Sequence, residues 1–259
     1  MNAPSLGDLL NLAIEAANVG GKRTLAYFNT GVAVETKEDN TPVTCADREA
    51  EQVIRAMITK IFPAHSILGE ESGEARGDPR FKWIIDPIDG TKSFIHGVPL
   101  YATLIGVEVD SKPSVGVVYL PALDEMVYAA TGMGCLWNGR RTRVSQVDRI
   151  EDATLLSSSP LTAMKRSDAY EQLANRAKLN RSWGDAYGYV LVATGRAEIM
   201  LDPVISPWDI APMLPILTEA GGWFGDWQGN ATTWGPDAAA TNAALREKVI
   251  DILRSEKKR

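Results

Sequence analysis

A buried strand that runs into an acid, a proline and a second acid constrains this chain more than any other feature. The segment is Lys82-Trp83-Ile84-Ile85-Asp86-Pro87-Ile88-Asp89-Gly90-Thr91. Trp83-Ile84-Ile85 reads as a short strand bounded by Lys82 and Asp86. Pro87 cannot donate to a ladder and fixes its own φ, so a turn is predicted after Asp86. Such a turn aims Asp86 and Asp89 at one point and directs the backbone N–H groups of Gly90 and Thr91 toward an anion. Carboxylates crowded together repel one another and stay ionised only with a cation among them. Hard oxygen ligands without His or Cys favour Mg²⁺ or a similar ion over zinc. Taken alone, an Asp-x-x-Asp-Gly stretch also fits a plain polar turn.

Two other acidic places narrow the reading. Gly69-Glu70-Glu71-Ser72-Gly73 puts acids directly after the apolar strand candidate Ser66-Ile67-Leu68-Gly69. Pro207-Trp208-Asp209 puts an acid at the opening of a late helix, where a carboxylate suits the macrodipole.

The rest of the chain excludes several classes. A length of 259 residues with 45% hydrophobic content supports a sizeable core in one large domain or two packed lobes. A net charge of −6 disfavours a nucleic-acid binder, which needs a basic face. The basic Glu256-Lys257-Lys258-Arg259 reads as a solvated end. Cys45 and Cys135 form no Cys-x-x-Cys pair, so neither a zinc site nor a disulfide framework is expected. Met1-Asn2-Ala3-Pro4-Ser5 has no basic start or apolar signal core, and no run of about 18 apolar residues exists. A soluble, cytoplasmic protein is expected. His65 and His96 fit no catalytic triad and read as surface or capping residues, and no Gly-x-Ser-x-Gly, complete Walker loop or Gly-x-Gly-x-x-Gly is present.

Apolar spacing predicts a helix from Leu6 with Ser5 and Asp8 in its first turn, broken at Gly20-Gly21. A second helix covers Ala46 to Phe62 and stops at Pro63. Strands are expected at Ala102–Val109, Val115–Tyr119 and Met126–Ala130, with a hairpin turn at Asn138-Gly139. After about Val147, strands at Leu155–Ser158 and Ile199–Leu201 alternate with helices at Ala163–Ala177, Ala186–Ala193, Trp208–Ala220 and Asn242–Arg254. Pro212 and Pro215 predict a kink in the third of these helices. The fold class is α/β: an α+β N-terminal lobe over residues 1–148 and an α/β C-terminal lobe over residues 149–259, sharing one core.

Gly69-Glu70-Glu71, Trp83 to Thr91, and Trp208-Asp209 followed by Glu219-Ala220-Gly221-Gly222 resemble the three motifs of the inositol monophosphatase family, in order and from about Leu6 to Leu253. The resemblance implies a layered αβαβα sandwich in one phosphatase unit, a small phosphorylated metabolite as substrate, a homodimer, lithium sensitivity, and two to three Mg²⁺ ions per active site. Glu70, Asp86 and the Ile88 carbonyl would hold one ion, and Asp86, Asp89 and Asp209 a second, with Glu70 helping a weaker third. Thr91 would position the attacking water with Asp47, of Thr44-Cys45-Ala46-Asp47, behind it, and Gly90 and Thr91 would bind phosphate. Lys37 would steady phosphate or a metal-bound carboxylate, with Glu71 beside it; a solvated loop lysine is the other reading of Lys37.

Two stretches bear on the ester. Gly90-Thr91-Lys92-Ser93-Phe94-Ile95 through Leu100, and Trp183-Gly184-Asp185-Ala186-Tyr187-Gly188-Tyr189 through Glu198, resemble the family's histidinol-phosphatase branch. Asp185, Asp202 and Arg196 are the substrate residues this implies. Histidinol phosphate carries cationic groups that a polyol lacks, so a carboxylate on the leaving-group side would select it. Asp185 could instead cap a helix beginning near Ala186. Inositol phosphates, sugar bisphosphates and nucleotide-derived phosphates remain alternatives, as does a relative acting through protein partners in RNA metabolism.

Overall fold

The computed structural model describes residues 3–37 and 41–255. The basic residues 256–259 and the first two residues lie outside that range. In chain order the elements are α1 (Leu6–Leu25), β1 (Val34–Thr36), β2 (Pro42–Thr44), α2 (Cys45–Ile61), β3 (His65–Gly69), β4 (Gly73–Ala75), β5 (Asp78–Asp89), α3 (Thr91–Ile95), β6 (Ala102–Val109), β7 (Lys112–Leu120), β8 (Glu125–Ala130), β9 (Gly134–Trp137) and β10 (Arg140–Arg141). There follow β11 (Thr154–Leu156), α4 (Pro160–Arg166), α5 (Asp168–Arg176), β12 (Leu179–Arg181), α6 (Asp185–Ala193), β13 (Ile199–Asp202), α7 (Pro207–Ile210), α8 (Met213–Glu219), β14 (Gly222–Gly225), β15 (Ala238–Asn242) and α9 (Arg246–Ser255).

Two sheets organise these elements. The larger runs β10-β9-β8-β7-β6-β5-β3-β4 and the smaller β12-β11-β13-β15-β14. Side chains alternate across a strand, so each sheet has two apolar faces to cover. On the larger sheet, Trp83, Ile85, Ile105 and Val117 pack with Leu9, Ala13, Ala16, Ile54 and Ile58 of α1 and α2. Their neighbours Leu104 and Val118 face the other way, onto Tyr189 and Val190 of α6 and Ile216 and Leu217 of α8. Leu156, Met200, Phe224 and Ala240 of the smaller sheet join that same middle layer. Leu155, Ile199, Trp223 and Ala239 point outward, onto Tyr170 and Leu173 of α5 and Val249 and Ile250 of α9. The result is the αβαβα sandwich, with the middle helices shared by both sheets. Among the described residues, no helix is long and apolar enough to cross a membrane.

Four expectations about the backbone need correction. Gly20-Gly21 does not break α1, which runs through both. A Cβ at Gly20 would meet Ile54 at 2.5 Å and one at Gly21 the Tyr119 ring at 2.6 Å, so these glycines serve close packing of helix on helix and helix on sheet. The predicted turn after Asp86 is a bulge: β5 continues to Asp89, and its register against β6 shifts between Asp86, opposite Leu104, and Asp89, opposite Ala102. The helix expected over Ala163–Ala177 is two helices, parted at Ser167, whose extended backbone and side chain cap α5 through the Ala169 N–H. Asn242 closes β15 instead of opening the last helix, and its side chain receives the Leu245 N–H.

The kink at Pro212 is present, between α7 and α8. Pro215 falls in the first turn of α8, where a missing N–H is tolerated. His65 is half-buried rather than superficial: its ring stacks between Phe62 and Phe81 at 4.5 and 4.4 Å and accepts the Trp83 indole N–H.

Candidate active site

The acids converge because two irregularities of the chain, a bulge and a kink, end at one place. The β5 bulge presents Asp86 and Asp89, both buried. The α7–α8 kink presents Asp209. It can lie that deep because Gly106 and Gly116, paired on β6 and β7, leave a trough in the sheet. A Cβ at Gly106 would sit 2.5 Å from that of Ala211, and one at Gly116 would strike the Pro212 carbonyl. Asp86, Asp89 and Asp209 each offer an oxygen within 4.8 Å of the others.

Each of these carboxylates is oriented by one backbone donor. Asp86 accepts the Ile88 N–H at 3.0 Å, Asp89 the Ala186 N–H at 2.6 Å and Asp209 the Ser206 N–H at 2.9 Å. These bonds do not offset the loss of water. Burial first, then the charges of Glu70, Asp89 and Asp209, hold the Asp86 carboxyl well above its usual range. Burial and the charges of Asp185 and Asp209 do the same at Asp89. Burial pushes Asp209 up to about 7. A cluster that cannot ionise freely by itself, and offers only hard oxygen donors, fits Mg²⁺.

A cavity of about 210 Å³ opens over these acids, lined also by Glu70, Ile88, Gly90, Thr91, Lys92 and Asp185. Gly90 is left-handed at φ 77, a conformation that favours glycine, and it begins α3. Thr91 Oγ1 donates to the Ile88 carbonyl at 3.0 Å. Asp47 is buried; one oxygen accepts the Thr44 N–H and hydroxyl, while Oδ1 has no partner. Burial raises its pKa, and the charge of Glu70 adds to the effect.

Lys37 is no solvated loop lysine. Its Nζ lies 2.7 Å from Glu70 and 2.6 Å from Glu71. Burial works against its charge, but the two carboxylates outweigh it and raise the pKa. At Glu71 burial wins over Lys37 and pushes the carboxyl up to about 6.

On the far side of the cavity Asp185 is the first residue of α6, left-handed at φ 53, after Gly184 in the cap position. It is therefore not the helix cap. A Cβ on Gly90 would stand 3.1 Å from its Oδ2, so its carboxylate lies against the Gly90 backbone. Burial raises its pKa, partly countered by Ser158 and by the charge of Lys92. Asp202 sits in an adjoining cavity of about 100 Å³ that shares Asp89, Asp185 and Asp209. It accepts the Tyr189 hydroxyl at 2.6 Å and the Ser158 N–H at 3.2 Å, and burial pushes it up to about 6.

Arg196 is the expected residue the structure does not bring to this place. It pairs with Glu125 and lies over the Trp137 ring at 4.4 Å, lining neither cavity. Sequence reasoning passed over Ser158, Tyr189, Lys92 and Glu51. Ser158 follows a strand end, as the recognised acids do. Glu51 shares the buried face of α2 with Ile54 and Ile58, a spacing that marks a charge in an apolar stripe.

Solved structures share this architecture. The extragenic suppressor protein suhB of Bartonella henselae superposes with a TM-score of 0.89 at 30% identity, over 95% of this chain and 98% of that one. An IMPase of Thermotoga maritima gives 0.87 at 30% identity, over 96% and 97%. Among curated proteins, the histidinol-phosphatase of Chlorobaculum parvum is 42% identical, covering 96% of this chain and 98% of the relative. The histidinol-phosphatase of Streptomyces coelicolor is 37% identical over the same shares. Fold, acidic cavity and relatives together define a phosphoric monoester hydrolase. The description "Inositol monophosphatase family" belongs to a sequence model that matches residues 5–258, and the chain belongs to that family.

Proposed function

We propose that the protein is a Mg²⁺-dependent phosphomonoesterase that hydrolyses histidinol phosphate to histidinol. The observation that carries the metal dependence is the convergence of Asp86, Asp89 and Asp209 within 4.8 Å. Glu70 and the Ile88 carbonyl complete the donor set that would hold the ions. Bound ions supply charge neutralisation at the phosphate and acidify water. The chain's residues do the rest. Gly90 and Thr91 offer backbone N–H groups to the phosphate at the start of α3. Thr91, whose hydroxyl proton is committed to Ile88, accepts from the attacking water and orients it. We assign the water's proton to Asp47, whose Oδ1 is buried without a hydrogen-bond partner.

Asp185 supports the choice of ester. It is a carboxylate on the cavity wall, against Gly90, where it would meet a cationic leaving alcohol. The identities of 42% and 37% to histidinol-phosphatases agree with that reading. We extend it to a cytoplasmic homodimer inhibited by lithium.

Phosphate release from a panel of histidinol phosphate, myo-inositol phosphate and glycerol phosphate tests the proposal. Activity should vanish in excess chelator, return with Mg²⁺, and be highest on histidinol phosphate. Full turnover in chelator would sink the metal reading; preference for myo-inositol phosphate would overturn the ester alone. A second reading is favoured by the 34% identity to the Nus factor SuhB of Escherichia coli: a role through protein partners. A pull-down beside the same panel separates the two.

A further inference from the structure

Glu51 lies outside the cavity, yet its side chain is 0% exposed. It stands in the middle of α2, beneath the turn that leaves β3. Three donors converge on its carboxylate: the Glu71 N–H at 2.8 Å, the Ser72 N–H at 3.0 Å and the Arg55 Nε–H at 2.7 Å. Gly69 has no room for a side chain because the same carboxylate fills the space where a Cβ would go. Arg55 reaches on to the Gly73 carbonyl and closes the other end of the turn.

Such a residue is costly to bury and is tolerated only when every oxygen is satisfied. An apolar side chain here would leave the Glu71 and Ser72 N–H groups without this acceptor. What the arrangement fixes is Glu70. Its own N–H donates to the Ile85 carbonyl at 3.1 Å, tying it to β5 one residue before Asp86. The next N–H, that of Glu71, is held by Glu51. Glu70 is thus pinned by its backbone on both sides, and its side chain is left to face Asp86 and Lys37. Without the anchor, the turn over residues 69–73 would relax away from β5 and take Glu70 with it.

We propose that Glu51 is a positioning residue: it sets the affinity of the acidic cavity for its cation by clamping the turn that carries Glu70. The inference rests on the metal-dependent reading above. It gives a carboxylate remote from substrate a part in the reaction and predicts a particular kinetic signature.

Glu51→Gln tests it. The amide keeps the size but presents NH₂ to a backbone N–H and leaves Arg55 without its counter-charge. The Mg²⁺ concentration for half-maximal activity should rise about 10- to 100-fold, the usual range for residues that orient ligands from behind. Activity at saturating Mg²⁺ should fall far less. The second readout needs no turnover: the rise in melting temperature on adding Mg²⁺ should require correspondingly more ion. Ile54→Val, on the same buried face of α2, is the control for mere destabilisation; it should lower the melting temperature and leave the Mg²⁺ midpoint alone. If Glu51→Gln does not fold, Arg55→Met, which loosens both ends of the clamp, should shift the midpoint in the same direction. Unchanged Mg²⁺ midpoints in the folded variant, by activity and by melting, would overturn the proposal. A wild-type protein indifferent to Mg²⁺ would instead overturn the metal reading on which it rests.

Discussion

At the scale of single residues, charge crowding decides behaviour. Asp89 is buried beside Asp185 and Asp209, and in the metal-free protein its charge is unfavourable. Asp89→Asn should lower kcat by at least about 100-fold, since one of the proposed metal ligands is lost. The same variant without metal should melt at or above the wild-type temperature, because one repulsive charge is gone and the amide oxygen still accepts from Ala186. Marked unfolding of the metal-free variant would show instead that Asp89 is a structural turn residue. Asp185 separates substrate choice from chemistry. Its left-handed backbone makes alanine a poor replacement, since αL strain costs about 1–2 kcal/mol, whereas asparagine adopts it routinely. Asp185→Asn should cut kcat/KM for histidinol phosphate by about 10- to 150-fold, the worth of a charged hydrogen bond, and barely touch glycerol phosphate. Equal losses on both esters would make Asp185 a packing residue.

At the scale of elements, glycines set how near one element comes to another. Gly→Ala in a helix normally gains about 1 kcal/mol. Gly21→Ala should do the opposite, because the added methyl meets the buried Tyr119 ring at 2.6 Å and Pro121 at 2.8 Å. A loss of about 1–3 kcal/mol is expected in urea unfolding, with activity retained in the folded fraction. Gly116→Ala acts on the other face, where the methyl would push the Pro212 carbonyl and with it the α7–α8 kink that carries Asp209. It should lose comparable stability and also weaken Mg²⁺ activation. A Gly116→Ala protein with normal Mg²⁺ dependence would mean that the kink does not place Asp209.

For the whole molecule, the cavity links stability to pH. Asp209 is raised to about 7 and Asp202 and Glu71 to about 6, so between their ordinary carboxyl values and those values the folded state binds more protons than the unfolded one. Stability of the metal-free protein must then fall as pH rises through that window. Its melting temperature should increase on going from about pH 7.5 to about pH 5.5. His65, whose pKa burial lowers, opposes the trend but is a single group against several. Saturating Mg²⁺ should flatten or reverse the slope, since protons compete with the ion, and at 100 times its dissociation constant it adds about 2.7 kcal/mol. Differential scanning calorimetry with chelator and with Mg²⁺ checks both signs. A metal-free protein that loses stability on acidification over this range would contradict the buried acidic cluster.

Several of the chemistry-bearing acids were legible in the sequence because short motifs carry their own geometry. Asp86 and Asp89 flank one proline, Asp209 lies in the first turn of one helix, and Glu70 follows one strand, so local rules marked each of them and the family resemblance joined them. The central strands of the larger sheet, β3 and β5 to β8, were legible as apolar runs between turn residues. Distances between segments were not. Gly20-Gly21 reads as a break from propensity alone and is a contact surface only because Ile54 and Tyr119 lie across it. Pro87 reads as the end of a strand and is a bulge only because β6 supplies a partner on both sides. β15 is mostly alanine and β14 only two aromatic residues between glycines, so neither announces itself as a run, and they are strands because each completes a ladder. Arg196 shares a segment with Asp185 yet turns to Glu125 and Trp137, and Glu51, distant from every motif, ends beneath Glu70. Local sequence specifies which groups can do the chemistry. Only tertiary packing, which joins residues remote along the chain, decides which of them meet.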